Sequence, residues 1–337
     1  MAAVFVGIVY VLAAIFGSLA TCATFVGILR HGPLRAFKKH RRDVPPSCLL
    51  DTTLGTHHYV LANGIRFHYV SAGDDSKPLL LLLHGFPEFW FCWRHQLKEF
   101  AKDYHVVAVD MRGYNETERP PNKNDYALDI LLKDIAELVP ALGHSTCTLV
   151  AHDWGAIVAW GVAAKHPQLV EKLVIMNCPQ TSVFRKFVRT NPRQLLKSWY
   201  VFVFQLPWLP EFMLQLHDYM FLDGAFRKGG VHNETFFPPD LVEAYKYVLS
   251  KPGALTAAIN YYRCMFTRPS KLPRGPLTMP ILVIWGDNDV ALDKKMADMH
   301  MSVGTNVVVK HIPNCSHWVQ QDAADTVNQY MRDFLEL

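Results

Sequence analysis

No two of the seven cysteines in this 337-residue chain stand in a C-x-x-C spacing, and their number is odd. Neither a disulfide framework nor a zinc site is indicated. Charge is scarce too, at 19% of residues against 50% hydrophobic, which excludes a disordered chain. The net charge of +4 is unevenly placed. Residues 1–43 hold six basic side chains (Arg30, Arg35, Lys38, Lys39, Arg41 and Arg42) and one acid, Asp43. The rest of the chain is left at −1, so the body carries no basic field of the kind a nucleic-acid partner requires. No internal repeat or low-complexity tract is present.

A further absence is local. From Ala2 to Leu29 no side chain is charged, over 28 residues. A bilayer needs only about 20 apolar residues for a helical crossing. A cleaved secretory signal would carry a basic n-region and an apolar core of about 7–15 residues. This segment lacks the first and overruns the second, although Ala20–Ala23 is small enough for cleavage. The reading is a transmembrane anchor at 1–29, a basic juxtamembrane linker at 30–50 and a globular domain at 51–337. The positive-inside rule turns the basic cluster and the body towards the cytosol. The expected location is the endoplasmic reticulum membrane, in a single pass.

Within the body, "HHYVLANGIRFHYV" (57–70) places two β-rich runs around Asn63–Gly64, a hairpin signal. Short apolar runs follow at 78–85, 105–110, 147–153, 170–177, 280–289 and 306–312. They alternate with helical segments, which predicts a mostly parallel sheet covered on both faces. Active sites of such sheets lie at the carboxyl ends of the strands. His84, Asp110, Asp153 and Asp289 fall at or just past those ends. Between about 179 and 274 the alternation stops, and a proline-punctuated helical stretch predicts a cap over the site.

"LVAHDWGAIVAWG" (149–161) puts an aspartate at a strand-to-helix joint. Aspartate is a good helix cap, and at an arbitrary joint capping is the commoner role. Here Ala151 and Gly155 flank Asp153 two residues away on either side, the small-x-nucleophile-x-small spacing of a strained elbow. Candidate partners follow in the order acid, then histidine. Asp289 in "WGDNDVAL" ends the next core strand, and His317 in "IPNCSHWVQ" follows the last one.

The motifs "HGFPEFW" (84–90), "DMRGYNET" (110–117), "HDWGA" (152–156), "YVFVFQ" (200–205), "INYYR" (259–263), "GDND" (286–289) and "CSHWVQQD" (315–322) together resemble the α/β-hydrolase-fold epoxide hydrolases. The resemblance spans about residues 50–337 and is strongest to their membrane-anchored branch, epoxide hydrolases three and four. It implies an α/β-hydrolase fold with a helical cap inserted before the acid-bearing strand, acting on lipophilic epoxides such as those of fatty acids, with water as co-substrate. No cofactor or metal is expected. By this resemblance Asp153 attacks an epoxide carbon to form an ester, which suits a carboxylate ionised at neutral pH. Tyr200 and Tyr262 would donate to the ring oxygen, with Tyr261 the neighbour most easily confused with Tyr262. His317, oriented by Asp289, would activate the hydrolytic water. The backbone N–H groups of Trp154 and Phe86 would form the oxyanion hole. His84 would support the loop that carries Phe86.

Three positions depart from the family pattern: Ala151, Ala156 and Asn115 stand where glycine is common. Ala151 remains small, and asparagine tolerates positive φ. Two other readings stay open on the sequence: a haloalkane dehalogenase-like enzyme, which also uses an elbow aspartate, and a non-catalytic lipid- or hormone-binding protein of the same fold. A carboxylesterase is disfavoured because position 153 is not serine.

Three N-x-S/T sequons, at Asn115, Asn233 and Asn314, report on orientation. With the body on the cytosolic side, glycosidase treatment of the full-length protein expressed in animal cells leaves its mass unchanged. A mass shift would place the body in the lumen.

Overall fold

The computed structural model of the chain describes residues 2–228 and 237–337, so Asn233 lies outside the described residues. Its centre is an eight-stranded sheet ordered β1-β2-β4-β3-β5-β6-β7-β8. The strands are β1 (Thr56–Ala62), β2 (Ile65–Ala72), β3 (Leu79–Leu83), β4 (His105–Val109), β5 (Cys147–His152), β6 (Val170–Met176), β7 (Ile281–Gly286) and β8 (Val307–Ile312). β2 pairs antiparallel with β1 and with β4; the remaining pairs are parallel.

Sequence pattern explains position in the sheet. β3, β4, β5 and β7 are buried at every residue. Uninterrupted apolar runs fit strands covered on both faces. β8, at the edge, alternates between exposed and partly buried residues. The β1–β2 turn pairs Ala62 with Ile65 across Asn63–Gly64. Both turn residues have positive φ, 44° and 75°, as a type I′ turn demands.

The chain begins with two helices, α1 (Ala2–His31) and α2 (Pro33–Ala36). Three more, α3 (Arg94–Phe100), α4 (Leu128–Ala141) and α5 (Asp153–Lys165), pack on the sheet together with the C-terminal helix Ala324–Leu335. After β6 the chain leaves the sheet and forms α6 (Thr181–Thr190), α7 (Arg193–Lys197), α8 (Trp199–Val203), α9 (Leu209–Asp223), α10 (Pro239–Leu249) and α11 (Ala254–Thr267), then returns as β7. These helices are the cap.

α1 is long and apolar enough to cross a membrane. The basic segment after it is strapped to the cap rather than extended as a free spacer. The Arg42 guanidinium bridges Asp218 of α9 at 2.6 and 2.7 Å and reaches Glu243 of α10 at 2.6 Å. Asp218 belongs to a break in α9 where His217, Asp218 and Tyr219 take φ of 50°, 56° and 62°. Such left-handed runs are costly for residues with a Cβ. The Arg42 fork and the His40 N–H, 3.1 Å from Asp218, supply local compensation.

The joint between β5 and α5 leaves no room for a side chain at Gly155. A Cβ at Gly155 would run into the carbonyl oxygens of Leu83 and His84. That backbone is fixed by the parallel β3–β5 pairing and cannot retreat. Gly155→Ala is therefore expected to cost about 1–3 kcal/mol of stability. Urea unfolding checks this: the midpoint falls while the slope holds.

Candidate active site

Asp153 is the first residue of α5 and takes φ of 49°. This left-handed turn is rare for a residue with a side chain. It lifts the carboxylate off the strand end instead of folding it back as a cap, and no capping bond from a side chain precedes α5. Oδ1 of Asp153 accepts the backbone N–H of Phe86 at 2.8 Å. Phe86 stands in the loop after β3, where an α/β-hydrolase oxyanion donor is expected. Gly85 must lack a side chain, because a Cβ there would strike the Asp153 carboxylate.

The other oxygen, Oδ2, lies 3.6 Å from Nε2 of His317. On the far side of the ring, Nδ1 of His317 meets Oδ2 of Asp289 at 2.7 Å. Asp289 is itself fixed: the N–H groups of Ala291 and Leu292 donate to Oδ1 at 2.7 and 2.9 Å, and Asn177 donates to Oδ2 at 2.7 Å. The three groups named from the sequence thus converge from the ends of β5, β7 and β8.

Their charges are coupled. Burial alone would raise both carboxylates, yet both are held below the usual range. For Asp153 the opposing causes are the proximity and charge of the His317 imidazole, with the Phe86 N–H adding to them. For Asp289 they are the His317 charge and hydrogen bond, then Asn177. Burial likewise pulls His317 down, but Asp289 and Asp153 overcome it and push the imidazole up to about 10. The resting site is an imidazolium between two carboxylates.

The cap closes this site with aromatic rings. Tyr262, on α11, packs its ring edgewise against Trp154 at 5.0 Å and Phe86 at 5.6 Å between centroids. Tyr200, on α8, stands 6.0 Å from Tyr262, centroid to centroid. Burial, then the nearby Asp153 charge, raises both phenols above their ordinary value, so both keep their protons. Tyr261 is different. Its hydroxyl donates to the Arg112 carbonyl at 2.8 Å, which binds α11 to the loop after β4. Of the adjacent pair, Tyr262 is the one whose phenol is raised, beyond burial, by the Asp153 charge.

Two polar residues at strand ends prove structural. His84 is buried, accepts the Met111 N–H on Nε2 at 3.0 Å and faces the Gly85 carbonyl with Nδ1 at 2.9 Å. It therefore pins the Phe86 loop to the loop after β4. Asp110 is turned away from the nucleophile and binds His68, the Trp90 N–H and Asn115. Asn115 does take positive φ, 40°.

The α/β-hydrolase-fold family model matches residues 78–324. Human epoxide hydrolase 4 is 43% identical over 91% of this chain and 86% of its own length. Epoxide hydrolase 3 of Xenopus tropicalis is 41% identical over 99% of this chain and 92% of its own. Among solved structures, an inhibitor complex of the Bacillus megaterium epoxide hydrolase superposes with a TM-score of 0.76 at 34% identity, covering 83% of this chain and all of that one. The chain belongs to the α/β-hydrolase-fold epoxide hydrolases. It is an enzyme, which sets aside the binding-only reading.

Sequence reasoning assigned no role to three residues that shape the epoxide hydrolase site. Asn177 takes φ of 43° at the end of β6, donates to Asp289 and accepts the Gly286 N–H at 3.0 Å. One amide thus ties β6, β7 and the acid together. Its signal was a polar residue closing an apolar strand at the carboxyl edge of the sheet. Glu88 and His152 form a buried pair at 2.7 Å, and the second nitrogen of His152 meets the His317 carbonyl at 2.9 Å. Gln320 and Gln321 donate to the same Glu88 carboxylate. Both lie inside quoted motifs, but nothing local shows that they meet.

The charge coupling has a measurable sign. Removing the Asp153 carboxylate removes one of two anions that favour the imidazolium. In Asp153→Ala the His317 imidazole is expected to titrate below the wild-type imidazole, which both carboxylates push up. Histidine ring NMR across pH reads this directly; an unchanged titration would show that Asp153 does not set the His317 charge.

Proposed function

We propose that this epoxide hydrolase converts lipophilic epoxides, including those of fatty acids, to vicinal diols through a covalent ester on Asp153. The observation that carries the reading is the division of labour between the two carboxylate oxygens. Oδ1 is held by the Phe86 N–H, whereas Oδ2 is aimed towards His317 and only loosely engaged at 3.6 Å. Oδ2 attacks an epoxide carbon. The ring oxygen takes a proton from Tyr200 or Tyr262, whose raised pKa values keep them as donors.

Ester formation then changes the electrostatics. The Asp153 anion is gone, and the His317 imidazolium has lost one of its two stabilising charges. Its proton leaves more easily, passing through solvent to the phenolate that ring opening left behind, and the neutral ring becomes the base that the second half-reaction requires. Water activated by Nε2 attacks the ester carbon. The oxyanion forms on Oδ1, where Phe86 and the backbone N–H of Trp154 at the start of α5 receive it; its collapse breaks the Cγ–Oδ2 bond, and the leaving alkoxide takes the carboxyl proton, which frees the diol and restores the Asp153 carboxylate beside the His317 imidazolium. Loss of one such donor costs about 10²–10³ in rate in other hydrolases.

The same reading covers cellular placement. The apolar helix α1 anchors residues 51–337 to the endoplasmic reticulum membrane, with the body on the cytosolic side and the segment 179–274 acting as cap. A lipid-borne substrate is then at hand, since lipophilic epoxides partition into bilayers.

Single-turnover alkylation separates the two steps. Asp153→Ala is expected to abolish labelling without unfolding. His317→Gln is expected to be alkylated and to accumulate the ester, seen as a mass adduct on the peptide that carries Asp153. Tyr200→Phe and Tyr262→Phe should each slow alkylation, and the double variant should lose about 10²–10⁴. The effects need not add, because both hydroxyls act on one oxygen. A double variant that alkylates at the wild-type rate would remove the tyrosines from the mechanism.

A further inference from the structure

α1 does not end where the enzyme begins; it lies side-on against the cap. Val9, Ala13 and Phe202 form a small buried cluster with Phe16, Leu206 and Phe266 packed on it. Phe16 stacks on Phe202 at 5.8 Å, and Phe202 stacks on Phe266 at 6.1 Å. Gly17 lets α1 close on the cap, since a Cβ there would meet the Leu206 side chain. These contacts recur every three to four residues and make one stripe along α1. The opposite face is equally apolar and uncovered, with Val11, Ile15, Leu19 and Phe25 exposed.

The position of the stripe decides how such a helix can meet a membrane. Val9 is 21 residues before Arg30, about 32 Å along the axis at 1.5 Å per residue. A hydrocarbon core is about 30 Å thick. If α1 stood upright with Arg30 at one interface, the cap residues packed on Val9 would lie at the opposite one. That would drag a cap bearing Arg185, Lys186 and Arg189 on α6 through the bilayer, at a cost no local contact repays.

Around the stripe the cap itself is apolar outside. Trp208 takes φ of 48°, which a bulky residue rarely adopts, and its indole is 71% exposed. It sits between Leu206 and Leu209, the two residues that face Gly17. Trp199 is 42% exposed, and Leu196 and Met265 are exposed beside residues that touch α1. Past the end of α1, Leu34 and Phe37 are exposed too, Phe37 against Phe212 of the cap. Tryptophan and lysine or arginine side chains of this kind are at home at the level of lipid headgroups.

We propose that α1 and the outer face of the cap form one lipid-facing surface, bedded together in a single leaflet of the bilayer, with α1 lying along the membrane rather than through it. The face that a lone in-plane helix would turn to water is turned to the cap instead. The proposal rests on the membrane-anchor reading above but not on the chemistry. It gives α8 two sides: Phe202 packs on α1, and Tyr200, two residues earlier, packs against Tyr262 and is raised by burial and the Asp153 charge.

Tryptophan emission tests it, because of the eight tryptophans only Trp199 and Trp208 are exposed. Full-length enzyme is reconstituted with phosphatidylcholine vesicles whose acyl chains are plain or brominated. The expected result is flotation with the vesicles and quenching by the brominated chains. Most of that quenching is lost in Trp208→Phe and nearly all in Trp199→Phe/Trp208→Phe. Flotation with no quenching would mean an upright helix with the body in water, and overturns the proposal. Quenching that survives in the double variant overturns it as well, since buried indoles would then be the reporters. Failure to float removes the anchor and the proposal together. None of these readouts depends on turnover, so a failure of the epoxide chemistry would register separately in the alkylation assay.

Discussion

Everything in this enzyme is arranged around one carboxylate held on a left-handed turn. Asp153 can point its two oxygens in different directions only because its backbone leaves β5 at φ of 49°. That conformation is disfavoured by roughly 1–2 kcal/mol, and the surroundings enforce it. β3 and β5 pair in parallel and bring the Phe86 loop beside the turn. Gly85 and Gly155 give up their side chains so that strand, loop and helix can close on one another. His84 and Asp110 then fix the two neighbouring loops from below. An N-cap aspartate would have needed none of this.

The second organising element is the count of charges. One imidazole serves two carboxylates, and the pair at 2.7 Å outranks the pair at 3.6 Å in geometry. Asp289 is therefore the close partner of His317, and Asp153 is the more loosely held of the two carboxylates. Asp289 already has its remaining positions filled by two backbone N–H groups and the Asn177 amide. A carboxylate so thoroughly solvated by the protein is a poor nucleophile and a stable counter-ion. Asp153, with one oxygen fixed and one aimed, has the opposite properties.

What could be read from the sequence follows from how local each signal is. The β1–β2 hairpin was legible because positive φ at two successive positions demands Asn-Gly or its equivalents. The central strands were legible because burial on both faces leaves runs such as "PLLLLLHG" without a polar break. The elbow was legible because small residues must flank it. Asn177, Glu88 and His152 were not, because each acts only through partners far along the chain: Asn177 and Asp289 are 112 residues apart, and Glu88 and Gln321 are 233 apart. The contacts of the linker were out of reach for the same reason. Nothing local to the basic segment shows that Arg42 is taken up by Asp218 and Glu243 of the cap, 176 and 201 residues further on. Charge alone does not say which carboxylate a chain will fold towards.

That strap bears on how the cap behaves. Caps that cover an active site must let substrate in, and the usual freedom lies in their outer helices. Here the outer helices are tied at two points: α8 to α1 through Phe202, and α9 and α10 to the segment after α1 through Arg42. Both ties belong to the first 42 residues, which are otherwise distant from the chemistry. α8 is only five residues long, so Tyr200 cannot shift independently of Phe202. Any displacement of the N-terminal helix relative to the body must therefore either move the tyrosine that faces Asp153 or break the aromatic stack that holds it. The N-terminal helix and Tyr200 are mechanically one unit, and the position of the first constrains the reach of the second.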